Sequence, residues 1–138
     1  MPKVKKGISN AEAEKTAMTK SYKMVLLRVM LARGVDHWYK PITAAEVAPF
    51  FVNYLTEKEY RRRVDKVDMD LKKAASLIER MPMAKWSGSS KGMITFEDQV
   101  FKLNFELDKP MNSIVYEWTK EVCDFRLHWY FEKKEEKL

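Results

Sequence analysis

The stretch VFKLNFEL, residues 100–107, alternates apolar and polar side chains. Phe101, Leu103, Phe105 and Leu107 fall on one side of an extended chain, and Lys102, Asn104 and Glu106 on the other. A period of two is the mark of a strand with one buried face. Just before it, MITF (93–96) reads as a short strand and EDQ (97–99) as a turn. Together these predict a β-hairpin over about residues 93–107.

The segments on either side have a helical period. In MTKSYKMVLLRVMLARG (18–34), Tyr22, Val25, Leu26 and Val29 share one face, and Leu27, Met30 and Leu31 widen the apolar band. A helix apolar over most of its circumference belongs at the centre of a fold. Its cations sit mostly at the ends: Lys20 and Lys23 at the start, Arg33 just before Gly34, with Arg28 near the middle. Long stems can carry those charges out to water. Gly34 suits the C-terminal end of the helix. Upstream, Asn10 can cap a helix beginning AEAEK, which either runs into this stretch or breaks near Thr19–Ser21.

Residues 35–42, VDHWYKPI, predict a loop or short extended piece, because Pro41 disfavours helix at Lys40. Thr43 and Glu46 form a capping box ahead of a helix carrying Val47, Phe50, Phe51 and Tyr54, which Pro49 is expected to bend or delay. Thr56 to Glu59 repeats the capping pattern. Val64, Val67, Leu71, Ala74, Ala75 and Ile78 then give a helical line with a break near Asp68, ending ahead of Pro82. MAKWSGSSKG (83–92) reads as a loop. Pro110 opens a last helix at its first turn. Ile114, Trp118, Val122, Phe125 and Trp129 line one stripe of it, broadened by Val115 and Leu127, and EKKEEKL (132–138) is a solvated end.

Three helical segments, a hairpin and a closing helix predict an α+β fold, mostly α. The order is that of a winged helix with an added C-terminal helix. With 138 residues the chain suits one domain. Residues 1–9 are expected to be a flexible basic arm, 10–134 the domain and 135–138 a frayed tail.

The net charge of +6 is uneven. Residues 1–40 hold nine Lys/Arg against three acids, residues 41–80 eight against seven, and residues 81–138 nine against ten. This asymmetry points mildly to a polyanionic partner. The single cysteine, Cys123, cannot make an internal disulfide or a metal framework, and it fits a reducing, cytoplasmic setting. No run of about 18 uncharged apolar residues is present, so no membrane span is expected.

No catalytic set emerges, and no metal or other cofactor is expected. His37 and His128 lack partner spacing, and Cys123 reads as a small core residue. SGSSKG (87–92) leads into a strand, unlike a phosphate-cradling loop that leads from a strand into a helix. Glu97, Asp98, Glu106 and Asp108 fall where a solvated hairpin places its charges.

Binding features are stronger. Arg61, Arg62 and Arg63 are consecutive, with Lys66 beyond. About 100° separates successive residues of a helix, so the three spread over an arc suited to phosphates along a groove edge. Nearby acids make intrahelical pairing the competing reading. Lys85, Trp86, Ser87, Ser89, Ser90 and Lys91 join cations, hydroxyls and an aromatic ring with no acid among them. Such a loop can grip a phosphate and stack a base, or it can fold its ring onto the core. Tyr39 and Lys40 in HWYK offer a similar mixture.

MTKSYKMVLLRVML (18–31) followed by ITAAEVAPFF (42–51) resembles a domain at the C-terminal end of DEAD/DEAH-type helicases and phospholipase-D-type nucleases of bacterial restriction and defence systems. LIERMPMAKW (77–86), VFKLNFEL and CDFRLHWYFEKK (123–134) extend the likeness over nearly the whole chain. The resemblance implies a target-reading or docking module beside a motor or nuclease. More distantly, the chain is similar to the DNA sulfur-binding domain of phosphorothioate-dependent restriction enzymes. That likeness implies a small apolar pocket at Pro82 and Ala84, with a methionine where the family's aromatic stands.

Two functions therefore compete. One is a DNA-binding module, with a reader of modified DNA as its variant. It would use Lys20, Lys23, Arg28, Arg61, Arg62, Arg63, Lys66, Lys85 and Lys91 on phosphates, and Tyr39 and Trp86 as packing rings. The other is an adaptor that docks a helicase or nuclease through an exposed aromatic patch at Trp129, Tyr130 and Phe131.

Overall fold

A computed structural model of the chain describes residues 20–136. The basic arm and the Asn10-capped helix lie outside these residues. The described part is α+β and mostly helical, with a small antiparallel sheet and a long C-terminal helix.

Helix α1 (Tyr22–Leu31) is the central helix that its composition requires. Tyr22, Met24, Val25, Leu26, Val29, Met30 and Leu31 are all buried. It begins at Tyr22, with Ser21 at its N-cap. Gly34, with φ of +97°, donates its N–H to the Leu31 carbonyl at 3.0 Å and ends the helix. Arg33 then folds the following turn back. Its guanidinium donates to the carbonyls of Lys40 at 2.7 Å and Trp38 at 2.9 Å.

Strand β1 (Ile42–Thr43) leads directly into helix α2 (Ala44–Thr56). The capping box forms: Thr43 Oγ1 accepts from Glu46 N at 3.2 Å, and Glu46 Oε1 accepts from Thr43 N at 2.9 Å. Removing the hydroxyl with Thr43→Ala is expected to cost about 1 kcal/mol in a urea melt. Pro49 lies inside the helix, in its second turn, and does not delay its start. Thr56, by contrast, caps nothing downstream. Its hydroxyl donates back to the Val52 carbonyl at 2.7 Å and finishes α2. The short helix α3 (Glu59–Val64) has Lys58 at its N-terminal boundary, with no side-chain cap.

The chain breaks over residues 65–70 and restarts as α4 (Leu71–Ile78), where Asp70 Oδ1 accepts from Lys72 N at 2.8 Å. Here the structure departs from what periodicity predicts. The rod does not stop before Pro82. It passes through one π-helical turn, Glu79–Met83, and continues as α5 (Ala84–Ser89). A π turn bonds i to i+5 and makes room for an imino residue that cannot donate to the usual partner. The expected loop 83–92 is thus helical through Ser89. Its serines stay in register by bonding carbonyls one turn back: Ser87 Oγ to Ala84 O at 3.0 Å, and Ser90 Oγ to Ser87 O at 3.3 Å. Lys91 and Gly92, both at positive φ, end the run.

Strands β2 (Ile94–Glu97) and β3 (Val100–Leu103) form the hairpin, with Phe96 opposite Phe101. Asp98 and Gln99 both take positive φ, as a two-residue turn that follows the strand twist demands. The pairing is shorter than the 93–107 expected. Beyond Leu103 one more cross-strand bond forms, from Asn104 N to the Met93 carbonyl at 2.8 Å, and the chain then keeps its alternating burial outside the ladder. β1 adds on the far side of β3, giving the order β1-β3-β2, with Ile42 opposite Phe101.

Helix α6 (Lys109–Glu136) closes the core. Asp108 Oδ1 accepts from Met111 N at 2.9 Å at its start. Residues 135 and 136, expected in a frayed tail, belong to the helix, and Glu135 pairs with Arg63. The stripe expected to face inward is turned largely outward: of its members only Leu127 is buried, and Val115, Val122 and Trp129 are half-buried. Ile114, Trp118 and Phe125 are each more than 60% exposed. Asn112, Cys123, Leu127, Tyr130 and Phe131 face the core. Asn112 is buried because it is fully used. Its Oδ1 accepts from the Trp38 indole N–H at 2.9 Å, and its Nδ2 donates to the Val35 carbonyl at 2.8 Å. Among the described residues no helix is long and apolar enough to cross a membrane.

Burial pushes the Cys123 thiol up to about 12, helped by Asp124. The folded protein therefore favours the protonated thiol more than the unfolded chain does. That contribution is complete below pH 9 and is lost as the pH climbs towards 12. Burial also raises the Tyr22 and Tyr130 hydroxyls, with Asp65 adding to both. Stability measured by urea titration is expected to fall across pH 9–12, and the Cys123 thiol to resist labelling until the chain unfolds.

Candidate functional site

A cleft of ≈ 370 Å³ opens where α1 approaches the α4 rod. It is lined by Tyr22, Lys66, Val67, Asp68, Lys73, Ser76, Leu77 and Arg80. The sequence places these groups by simple periodicity. Lys73, Ser76 and Arg80 recur at i, i+3 and i+7, so they share the exposed face of the rod. Lys66 comes from the break before α4, where the Tyr22 hydroxyl donates to its carbonyl at 2.9 Å and fixes the segment.

A second pair of cations lies on α1 and α5. Lys23, next to Tyr22, is half-buried, and its ammonium is held below the usual lysine range by burial and then by the positive charge of Lys85. Two cations of α1 and α5 are thus brought into one field. Neither Lys23 nor Lys85 has an ion-pair partner among the described residues, and the same holds for Lys66 and Arg80. Lys73 reaches Asp68 at 3.9 Å. Asp68 is the single acid of the cleft lining.

Beneath the start of α1 lies a buried carboxylate that sequence periodicity does not single out. Asp65, 1% exposed, accepts from Ser21 N at 2.8 Å, Ser21 Oγ at 2.6 Å and the Tyr130 hydroxyl at 2.8 Å. Lys20 Nζ stands 3.7 Å away and is half-exposed. This group ties the start of α1 and the break after α3 to the end of α6. Lys20 is therefore partly engaged in holding the fold.

The arginines of the cluster are each engaged by partners within the chain, with Arg62 and Arg63 exposed. Arg61 lies with its guanidinium 3.8 Å from the Tyr54 ring centroid, donates to the Tyr54 carbonyl at 3.0 Å and pairs with Glu57 at 2.8 Å. Arg62 donates to the Thr56 carbonyl, and Arg63 pairs with Glu135 and with Glu59. Together they fasten α3 to the end of α2 and to α6. Arg28 is likewise bonded to Asp124 at 2.6 Å. The intrahelical acids, read as competitors for these arginines, supply only part of this pairing. Tyr54 and the distant Glu135 and Asp124 supply the rest.

The region of Lys85, Trp86 and the serines is not the open loop expected. Trp86 turns inward, with ring centroids 6.3 Å from Phe101, and is half-buried. Ser87 and Ser89 bond helix carbonyls, while Ser90 Oγ also accepts from Ile94 N at 2.9 Å. Lys85 and Lys91 remain exposed. Pro82 is buried on the core side and Ala84 is exposed, so the two do not line a common pocket. Tyr39 and Lys40 line a different cleft, with Lys102, Phe105 and Glu106, beside the hairpin. At the end of α6, Tyr130 and Phe131 are buried and only Trp129 of that trio is partly accessible.

Among the described residues no group of three His, Cys, Asp or Glu side chains gathers as a metal site would require. Comparison with known proteins gives no match: no family model, no curated protein and no solved structure is significantly similar to this chain.

Proposed function

We propose that the protein is a DNA-binding module of winged-helix type that holds the phosphate backbone on the face made by Lys23, Lys66, Lys73, Arg80 and Lys85. Two observations carry this reading: Lys66, Lys73 and Arg80 line one cleft, and Lys23 lies half-buried in the field of Lys85, with all but Lys73 lacking a carboxylate partner among the described residues. Such a surface gains when an anion displaces its counterions. The depressed Lys23 ammonium is stabilised by an arriving phosphate.

The winged-helix assignment is supported by the element order and by β1. A strand between the first two helices that pairs with the last hairpin strand is the sheet arrangement of winged helices. In that frame the α4 rod is the recognition helix, and its exposed face, Lys73, Ser76 and Arg80, lines the cleft beside Lys66. Ser76 is the hydrogen-bonding group best placed on that face for a base edge or a phosphate oxygen. The sequence resemblance to defence-system domains leads to the same reading. It adds a cytoplasmic helicase or nuclease partner that would act on the bound DNA.

Fluorescence anisotropy on plain, methylated and phosphorothioate duplexes and on a single strand tests the proposal. A duplex Kd that weakens steeply with salt is expected, and Arg80→Ala is expected to reduce the log–log salt slope by about 1 on every duplex. A preference for one modified duplex would identify the protein as a reader of modified DNA. No binding to any of the four would refute the assignment.

A further inference from the structure

Helix α6 has two apolar faces, and the domain uses one. Tyr116, Cys123, Leu127 and Tyr130 face the core or pack against it. Along another side Met111, Trp118, Val122, Phe125 and Trp129 run the length of the helix, and Val115, which also packs against the core, completes their row. Met111, Trp118 and Phe125 are exposed, and Val115, Val122 and Trp129 are half-buried. These six positions are spaced 4-3-4-3-4. They fit a heptad repeat with Val115, Val122 and Trp129 at a and Met111, Trp118 and Phe125 at d. The seam is roughly 27 Å long at the rise of an α-helix. It ends at Glu132, the next d position.

The flanks specify what covers it. Glu121 falls at g and Arg126 at e, five residues apart. That is the spacing at which a g side chain of one strand meets the e side chain of an identical parallel strand. Neither has an ion pair among the described residues. An antiparallel arrangement would instead bring g to g and set Glu121 against its own copy. The seam and its unpaired flanking charges thus fit a second copy of this chain. We infer that the protein forms a parallel homodimer through the outer face of α6, with a Trp118–Phe125 seam and reciprocal Glu121–Arg126 pairs. The dimer is independent of what the basic cleft binds, and it places the two domains on opposite sides of the helix pair.

Sedimentation equilibrium of the full chain is expected to give twice the monomer mass. Trp118→Glu is expected to halve it with no change in the helical circular dichroism, since this side chain is exposed in the protomer. Glu121→Arg is expected to weaken the dimer, and the double change Glu121→Arg with Arg126→Glu to restore it. Glu132→Cys is expected to give a disulfide-linked dimer on mild oxidation, because only parallel strands bring this position to its own copy. A monomeric wild type would overturn the proposal, including one whose seam instead captures a different protein. So would a Trp118→Glu variant that sediments like the wild type, or a Glu132→Cys variant that does not cross-link.

Discussion

Asp65→Ala is expected to destabilise the protein by about 3–5 kcal/mol, because three buried donors lose their acceptor at about 1–3 kcal/mol each. Three donors converge on that carboxylate from two distant parts of the chain. Alanine leaves the Ser21 N–H, the Ser21 hydroxyl and the Tyr130 hydroxyl without this acceptor, in a site that water cannot fill without loosening the start of α1. It also removes the counter-charge of Lys20. Asp65→Asn keeps the shape and one acceptor oxygen, so it is expected to lose clearly less. Urea unfolding followed by circular dichroism reads both. An alanine variant within about 1 kcal/mol of wild type would show that the network is not what joins α1 to α6.

The second large effect concerns binding. Replacing Lys23, Arg80 and Lys85 together with alanine is expected to flatten the log–log salt dependence of duplex binding by about 3, one for each phosphate no longer neutralised. All three lie at or near the protein surface, and none has an ion-pair partner among the described residues, so the fold should survive. Arg62→Ala provides the contrast. Its guanidinium is bonded to the Thr56 carbonyl, so its loss should leave the slope unchanged even if stability falls a little. A variant series in which Arg62 mattered and the triple change did not would move the binding face to α3.

Much of this architecture is legible in the sequence, and the exceptions have physical causes. Periodicity locates α1, the hairpin and the capping box because each depends on local pattern and burial on a known face. It misjudges 83–92 because Ser, Gly and Pro usually mark loops. In this chain a π turn absorbs Pro82, and serine-to-carbonyl bonds keep the run helical. It turns the stripe of α6 away from the true core face, keeping Leu127 but missing Cys123, Tyr130 and Phe131, because both faces are apolar. The core-facing side contains Asn112, whose burial depends on Trp38 and Val35 from another part of the chain. The candidate site divides in the same way. Lys23, Lys66 and Lys85 stand out in the sequence as basic residues, and the fold brings Lys23 into the field of Lys85. Arg80 has no neighbouring cation in sequence to draw notice, and only the fold brings it beside Lys66. Arg61, Arg62 and Arg63 make the strongest local signal. Their partners Tyr54, Thr56 and Glu135 cannot be assigned from the cluster alone.

The salt dependence of duplex binding by the wild-type chain bears most directly on whether the basic face holds DNA. With four or five phosphates held there, the log–log slope of the association constant against salt is expected to be roughly −3 to −5. A slope indistinguishable from zero would refute phosphate binding on this face.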